Sequence, residues 1–284
     1  MMADRKDWLD FARDAQSGTE AVQARFHAHA YDPHFHDQVL VGVTLQGVQQ
    51  FRCRRAIHRS TPGRVILMEP GETHDGEAVI EDGFTYAMLY FAPDWLRQAG
   101  ADYLGRSDAP QILAFRETLN DDAALGQAIV TACSRMLRRE GRMAREAALD
   151  AVLPHLLRRA GETDASQAAH AAPRIASRAR DIIEARYDSD LGLEELASQT
   201  GTDRFRLTRA FKAAYGIAPH AYLVQRRLNR ARQLLARGEA PAEVAAATGF
   251  ADQSHLGRWF RRAFGMTPAD YRRRCTDLPD AVIA

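Results

Sequence analysis

Residues 195–222 read ELASQTGTDRFRLTRAFKAAYGIAPHAY, and residues 243–271 read EVAAATGFADQSHLGRWFRRAFGMTPADY. The two stretches correspond with an offset of 48 residues up to the glycine and 49 residues after it. A repeat of this period indicates a duplicated supersecondary unit. Each copy reads as a short amphipathic helix, a turn opened by glycine, and a second helix with basic residues, which is the pattern of a helix-turn-helix. Two copies in tandem predict a DNA-binding module.

The second helix of each copy has one apolar face and one polar face. Leu207, Ala210 and Phe211 are predicted to face the core in the first copy, and Asp203 is placed to cap the helix. The core residues predicted for the second copy are Leu256, Trp259 and Phe260. Arginine can bond a guanine edge, glutamine suits adenine, and threonine can contact the thymine methyl group. The outward residues, predicted to contact DNA, are Phe205, Arg206, Thr208, Arg209 and Lys212 in the first copy and Gln253, Ser254, His255, Arg258 and Arg262 in the second.

Between the two copies, residues 221–236 read as one continuous helix. A rigid helix here would fix the distance between the two reading helices. Two readers on one frame could enter successive major-groove segments, about 34 Å apart on one face of the duplex.

The composition describes an ordinary globular chain. It has 284 residues, of which 46% are hydrophobic and 26% are charged, enough for two domains. No apolar run approaches the roughly 20 residues that cross a bilayer, and the first residues lack a signal peptide's apolar core. The three scattered cysteines fit reduced thiols, with redox sensing as the alternative. A cytoplasmic protein is expected.

The charge is unevenly distributed along the chain. Residues 174–274 hold 19 Lys and Arg against 11 Asp and Glu, a net charge of +8. Residues 1–173 carry a net charge of −5, so the overall value of +1 hides the difference. A basic domain attracts the phosphate backbone of nucleic acids, although a solvated Arg-rich helical surface would have the same charge.

The first part of the chain reads as β-rich. Val39–Leu45, Val65–Met68 and Phe84–Phe91 are predicted strands with glycine and proline turns between them. Short strands at this spacing suggest a small barrel or jelly roll. Residues 94–160 read as helical, with an apolar stripe in 149–160 that would form either core or a dimer contact. Residues 161–173 are small and polar, which predicts a linker.

Residues 174–274 closely resemble the DNA-binding domain of the AraC/XylS family of bacterial transcriptional regulators. ATGFADQSHLGRWFRRAFGMTPADYRR follows the second motif of that family almost position by position, and the first motif matches in spacing and core residues. The resemblance covers about a third of the chain. It implies two helix-turn-helix units joined by a long helix and bound to adjacent major grooves. Asp203 departs from the serine that the family often has there, which places a carboxylate near phosphates.

Three histidines suggest a site in the β-rich part. His34 and His36 lie two apart on a predicted strand, so both rings should share a face, and His74 ends a PGETH stretch. This pattern resembles the cupin-like sensor domain of AraC-type regulators, in which metal-binding members use such histidines with a glutamate. Positions 40 and 41 are leucine and valine, so that glutamate is missing. The three histidines therefore line an effector pocket with Tyr86, Met88 and Tyr90, hold a metal, or are simply hydrogen-bonded barrel residues.

The predicted protein is α+β with two domains: a cupin-like sensor barrel with a helical appendix over 1–160, a linker over 161–173, and an all-α tandem helix-turn-helix domain over 174–274. The leading hypothesis is a transcriptional regulator that responds to a small-molecule effector. It is expected to be no enzyme and to use no cofactor. Double-stranded DNA, RNA polymerase and a second copy are the expected partners. A metal-dependent cupin enzyme on a DNA tether and a constitutive activator with a dimerisation-only barrel are the alternatives.

Overall fold

The computed structural model describes residues 7–27, 29–105, 114–159 and 173–276 of the chain. It divides into two compact units, residues 1–162 and 163–284. The predicted linker, 161–173, lies outside the described residues apart from Pro173. The first unit contains strands β1 (Trp8–Arg13), β2 (Glu20–Phe26), β3 (His29–His34), β4 (Val39–Gly47), β5 (Gln49–Cys53), β6 (Ala56–Ser60), β7 (Val65–Met68), β8 (His74–Ala78), β9 (Phe84–Phe91) and β10 (Leu119–Asn120), and helices α1 (Pro93–Leu104), α2 (Ala123–Leu137), α3 (Arg142–Asp150) and α4 (Leu153–Arg159).

The strands of the first unit form two sheets. The larger has the order β1-β2-β9-β4-β7-β10 and the smaller the order β3-β8-β5-β6, and all recorded pairs are antiparallel. The α+β class predicted from the sequence is confirmed. Among the described strands the hydrogen bonds make two sheets and do not close into one ring, because no pairing links an edge of one sheet to the other.

Strand β9 lies at the centre of the packing. Phe84, Tyr86 and Met88 belong to an apolar cluster that also holds Phe51 and Cys53 of the smaller sheet. The alternate residues of β9, including Leu89 and Phe91, belong to a second cluster with the helices. The shared face of Phe84, Tyr86, Met88 and Tyr90 is therefore confirmed, and the opposite face is buried as well. Alternation of side chains along a strand makes this two-sided burial possible.

The helices of the first unit cover the outer face of the larger sheet. In the 149–160 stripe, Leu149, Val152, Leu153 and Leu156 are buried in the same cluster as strands β4 and β9. Of the two predictions for this stripe, core packing is therefore the one that holds, because these side chains are covered within a single chain. Burying each of them contributes about 1.5–3 kcal/mol of hydrophobic free energy.

The second unit is helical throughout its described part. Its helices are α5 (Arg174–Ala185), α6 (Leu193–Gln199), α7 (Arg204–Tyr215), α8 (Pro219–Ala236), α9 (Pro241–Ala247), α10 (Gln253–Phe264) and α11 (Pro268–Thr276). Helices α6 and α7 form the first helix-turn-helix, and α9 and α10 form the second. Helix α8 confirms the predicted connecting helix and begins two residues earlier, at Pro219, where proline suits the first turn. No helix in the described ranges is long and apolar enough to cross a membrane.

Candidate functional site

Helix α7 presents the first set of predicted reading residues. Leu207 and Phe211 are fully buried, so the opposite side of the helix faces outward. Phe205 is 62% exposed, with the Arg204 guanidinium 4.8 Å from its ring centroid. Thr208 is half-buried, and its hydroxyl donates to the Arg204 carbonyl at 2.8 Å. Its methyl group therefore remains the part of the side chain suited to an apolar contact. The exposed members of the set are Phe205, Arg206, Arg209 and Lys212.

Helix α10 presents the second set in the same way. Leu256 and Phe260 are fully buried. Trp259, predicted as a core residue, is only half-buried, and its indole Nε1–H donates to His255 Nε2 at 2.9 Å. The prediction for Trp259 is therefore corrected, because its polar edge serves the outer face. The exposed members of the set are Gln253, Ser254, Arg258 and Arg262, while His255 is half-buried.

Both reading helices begin at an aspartate cap. Asp203 Oδ1 accepts from the amides of Phe205 and Arg206, at 2.9 and 2.8 Å. Asp252 Oδ1 accepts from the amide of His255 at 2.6 Å. These bonds satisfy N–H groups that have no partner inside the helix. The hydrogen bonds from the amides of Arg206 and Phe205 lower the pKa of the Asp203 carboxyl. This carboxylate is therefore negatively charged at neutral pH.

The first unit brings the three predicted histidines together. His34, His36 and His74 are 8%, 5% and 8% exposed, and their ligand nitrogens lie within 4.8 Å of one another. His34 ends β3 opposite His74, which begins β8. His36 lies two residues beyond the end of β3, so the two rings do not share one strand as predicted. Their centroids are nevertheless 4.8 Å apart.

The ring orientation of two of these histidines is fixed by the backbone. Nδ1 of His34 lies 2.7 Å from the Asp32 carbonyl oxygen, and Nδ1 of His74 lies 3.0 Å from that of Glu72. A carbonyl only accepts, so each Nδ1 carries the hydrogen and Nε2 is the acceptor nitrogen of the neutral ring. Burial, aided by the nearby His34, lowers the pKa of His74 to about 3, so His74 is neutral at physiological pH.

Aromatic side chains border the histidine cluster. The Tyr90 ring lies 5.2 Å from that of His36, and the Tyr31 ring lies 5.6 Å from that of His34. The hydroxyls of Tyr31 and Tyr86 are hydrogen-bonded to each other. Tyr31 was not predicted, since strict alternation along β3 would put residues 31 and 34 on opposite faces. A register shift between Tyr31 and His34 places them together. Met88 shares this face of β9, directly over Gly42.

The turn that leads to His74 is anchored by an ion-pair network. The Arg54 guanidinium bonds Glu69 and Glu72 and donates to the Phe115 carbonyl at 2.5 Å. The Glu72 carboxylate also accepts from the Glu69 amide at 2.8 Å. Because the Glu72 carbonyl orients His74, this network holds the imidazole in place.

The donor set of this cluster fits a divalent metal ion. Histidine ligands of a metal commonly donate their other ring N–H to a backbone carbonyl, which is the arrangement of His34 and His74. Three imidazoles suffice for zinc with one open position. Leu40 and Val41, at the positions where the metal-binding pattern has a glutamate, are buried apolar residues and supply no ligand atom. If an ion binds, His34, His36 and His74 would hold it, and it would supply an electron-pair acceptor.

Comparison with known proteins identifies both units. Residues 17–157 match the family described as AraC-like ligand binding domain, and residues 196–274 match a helix-turn-helix domain. The chain is 26% identical over 240 residues to the uncharacterized HTH-type transcriptional regulator YbfI of Bacillus subtilis, covering 84% of this chain and 85% of that protein. It is 27% identical over 251 residues to the arabinose operon regulatory protein of Salmonella typhimurium, covering 82% and 80%.

The fold of the whole chain has a solved counterpart. The crystal structure of unsaturated fatty acid bound ToxT from Vibrio cholerae strain SCE256 matches with a TM-score of 0.50 at 12% identity, covering 97% of this chain and 98% of that one. The fold and the two matched domains together define a ligand-binding unit followed by a DNA-binding unit. The chain belongs to the AraC/XylS family of transcriptional regulators.

Proposed function

We propose that this regulator reads a two-part DNA site with α7 and α10, and that a small molecule bound at His34, His36 and His74 alters that reading. The observation that supports the DNA half most directly is the matching outer faces of the two helices. The ten predicted reading residues lie outside the core, on two equivalent helices that α8 joins. Coupling between the two sites would be about 1–3 kcal/mol, as is typical for linked binding sites.

The chemistry of the histidine cluster favours an effector that donates hydrogen bonds. His34 and His74 offer acceptor nitrogens, because their Nδ1–H groups are directed at backbone carbonyls. The acceptor nitrogen of His74, which is neutral at physiological pH, repels an anion and attracts a hydroxyl or N–H group. Tyr90 and the Tyr31–Tyr86 pair add apolar ring surface and polar hydroxyls. The proposed effector is therefore a small molecule that carries both hydroxyl or N–H donors and some apolar surface.

A thermal-shift screen of the full chain tests this proposal. Sugars, polyols, amino acids and unsaturated fatty acids form the panel, the last because the ToxT structure contains one. A true effector raises the melting temperature by mass action and changes the affinity for DNA. Both effects should disappear in His74→Gln and persist in His58→Gln, a histidine outside the cluster. Silence across the panel would instead favour a constitutive activator.

A divalent metal ion is the second candidate occupant of the same cluster. The carbonyl-bound Nδ1–H groups of His34 and His74 favour it, because they make Nε2 the acceptor nitrogen of each of these two rings, and ligand nitrogens of all three histidines lie within 4.8 Å of one another. Dialysis against Zn²⁺ followed by metal analysis should then find about one ion per chain in the wild type and in His58→Gln, and none in His74→Gln. Sub-stoichiometric metal, with DNA binding unaffected by a chelator, would remove this candidate.

The remaining features of the proposal concern the whole protein. We infer a non-enzymatic regulator that acts in the cytoplasm as a homodimer and contacts RNA polymerase at its promoters. The sensor domain would span residues 1–160 and the DNA-binding domain residues 174–274. The role of a regulator is supported by relatives that are named as regulatory proteins and that match over most of this chain's length. Gel filtration with light scattering tests the dimer, which a monomer at micromolar concentration would contradict.

A further inference from the structure

We propose that residues 187–189, between α5 and α6, act as a brace that fixes the second helix-turn-helix against the first and so sets the spacing of the two reading helices. This inference rests on the two-part DNA reading proposed above. The segment, called here the 187–189 brace, contacts both the connecting helix α8 and the turn between α9 and α10. It contains none of the ten predicted reading residues.

The first contact fastens the brace to helix α8. Arg227 Nε donates to the Tyr187 carbonyl at 2.6 Å, and its Nη2 donates to the Ser189 carbonyl at 2.8 Å. The planar guanidinium thus holds two carbonyls, one on each side of Asp188. Such fork-like bonding is specific to arginine, since a lysine ammonium is a single point donor. Arg227 is half-buried, and this burial lowers the pKa of its guanidinium.

The end of helix α5 is held against the same helix. Glu184 accepts from the Tyr222 hydroxyl at 2.8 Å and from Arg226 Nε at 2.5 Å. The Arg226 guanidinium also lies 5.0 Å from the Tyr187 ring centroid. The brace is therefore held to α8 by two consecutive residues of that helix, Arg226 and Arg227.

The second contact joins the brace to the second helix-turn-helix. Gly249, in the turn between α9 and α10, has a φ of +74°. A Cβ atom at this position would lie 2.7 Å from the oxygen and 2.9 Å from the carbonyl carbon of Asp188. The two backbones are therefore in direct contact, and only glycine fits between them. Thr248 and Phe250 on either side are both buried.

The first copy of the repeat lacks this contact. Gly201 occupies the equivalent turn with a φ of +71°, and a Cβ there would meet no atom within 4 Å. The turn itself therefore needs glycine for its backbone conformation in both copies. In the second copy, glycine is required for a further reason, because the backbone of Asp188 lies too close to leave room for a Cβ atom.

Two connections restrict the second motif more than one would. Helix α8 itself packs against the second motif, with the Arg232 guanidinium 4.9 Å from the Phe264 ring centroid and 5.9 Å from that of Tyr271. The Asp188–Gly249 contact adds a second point of attachment, so the separation and angle of α7 and α10 are both restricted. Linked readers gain affinity only when both sites can be occupied together, so a rigid pair should discriminate strongly between DNA spacings.

The test measures spacing discrimination by the full chain. A site selected from random DNA by the wild type is compared with the same site carrying two inserted base pairs between its halves, and with a site in which one half is scrambled. The discrimination ratio is the affinity for the selected site divided by that for the inserted site. Gly249→Ala and Arg227→Gln are the test variants, with Gly201→Ala and Arg237→Gln as matched controls. Arg237 is exposed and lies just after the end of α8, outside the brace and the predicted reading residues.

We expect the ratio to fall about tenfold in both test variants, because the second reader then keeps only its packing against α8, and to stay at the wild-type value in both controls. Arg227→Lys should recover part of the ratio, since it can still donate to one carbonyl. Affinity for the half-scrambled site should change little in any variant. A general loss of folding would instead lower this affinity. Melting curves identify any variant that does not fold. If Gly249→Ala does not fold, Arg227→Gln alone tests the proposal.

An unchanged ratio in folded Arg227→Gln would overturn the brace while leaving two-part reading intact. A wild-type protein that binds the inserted and half-scrambled sites as tightly as the selected one would overturn both proposals. The two failures are thus distinguishable from the wild-type data alone.

Discussion

The indole of Trp259 donates its Nε1–H to Nε2 of His255, one turn earlier on helix α10, at 2.9 Å. Because an indole can only donate, Nε2 of His255 accepts and the neutral ring carries its hydrogen on Nδ1. On the proposed reading face, His255 would thus be a defined hydrogen-bond donor. A donor at this place matches guanine or phosphate acceptors and mismatches the amino groups of adenine and cytosine.

Replacing Trp259 with phenylalanine should therefore change base preference. Trp259→Phe keeps the aromatic ring and removes the donor, so both tautomers of His255 become available. We expect the affinity for the selected site to fall about fivefold, the equivalent of roughly 1 kcal/mol for one hydrogen bond, with the loss concentrated at one base pair. Binding to a panel of single-base variants measures it. A uniform loss across the panel would show that the ring only packs.

Arg258 is predicted to read a base. Arg258→Ala should lose about 1–3 kcal/mol of binding free energy on the selected site and relax the preference at one position. Arg258→Lys keeps the charge and loses the two-pronged bond, so it should recover general affinity without recovering the preference. Competition binding against random DNA separates the two effects. An equal loss on selected and random DNA would instead assign Arg258 to a phosphate.

Asp203 places a carboxylate at the start of a helix that is proposed to enter DNA. Asp203→Ser keeps an oxygen that can accept from Phe205 and Arg206 and removes the negative charge. We expect an unchanged melting temperature and a severalfold tighter binding to all DNA sequences, because repulsion from phosphates is relieved. Asp203→Ala removes the cap as well and should lower the melting temperature by a few degrees. Titrations at two salt concentrations check the result, and weaker binding by Asp203→Ser would contradict it.

The buried Asp14–Arg145 pair predicts an effect on stability in the first unit. Asp14 is 3% exposed and accepts from Ser17 and from Arg145 Nε, the latter at 3.2 Å. Burial alone would raise its pKa, but these bonds outweigh burial and lower it. Arg145→Met should cost about 3 kcal/mol of unfolding free energy, because it leaves a buried charge without its partner, and adding Asp14→Asn should restore part of the loss.

The same pair fixes the direction of a pH effect. A lowered pKa means that the Asp14 carboxylate stabilises the fold above its ordinary value of 3.8 and that this stabilisation is lost as the pH falls through the lower folded value. Wild type should therefore lose more stability than Arg145→Met between pH 5 and pH 3. Urea unfolding in a Trp259→Phe background measures it, since Trp8 and Trp95 then report on the first unit alone. Parallel acid profiles for the two proteins would refute the assignment.

Much of the fold follows from patterns that are local in the sequence. The strands around Val41, Ile66 and Met88 and the whole helical repeat are predicted because hydrophobic periodicity is strong there. The first strand was not predicted, because WLDFAR mixes both charges and only pairing with β2 makes it a strand. The hairpin between β5 and β6 turns at Arg54 and Arg55, both with positive φ, where no glycine or asparagine signals a turn.

The candidate site was predictable in its residues and less so in its geometry. The histidines and the ten reading residues come from motif and spacing, and they remain predictions of contact with ligand and DNA. Tyr31 could not be found by alternation, because a register shift reverses the face. The role of Trp259 was hidden because helical spacing puts it beside the core, and only side-chain geometry reveals the bond to His255. The tautomers of His34 and His74 likewise depend on the Asp32 and Glu72 carbonyls, whose positions in space the motifs do not specify.

The different surroundings of Gly201 and Gly249 also bear on how such a regulator could be redesigned or could diverge. The first copy has an open turn at Gly201, so a turn from another protein would need only a residue that adopts the same backbone conformation there. The turn of the second copy is in contact with the Asp188 backbone, so a turn transplanted there would also need glycine at position 249. The two turns of the repeat therefore differ in how far they could change independently of the rest of the domain.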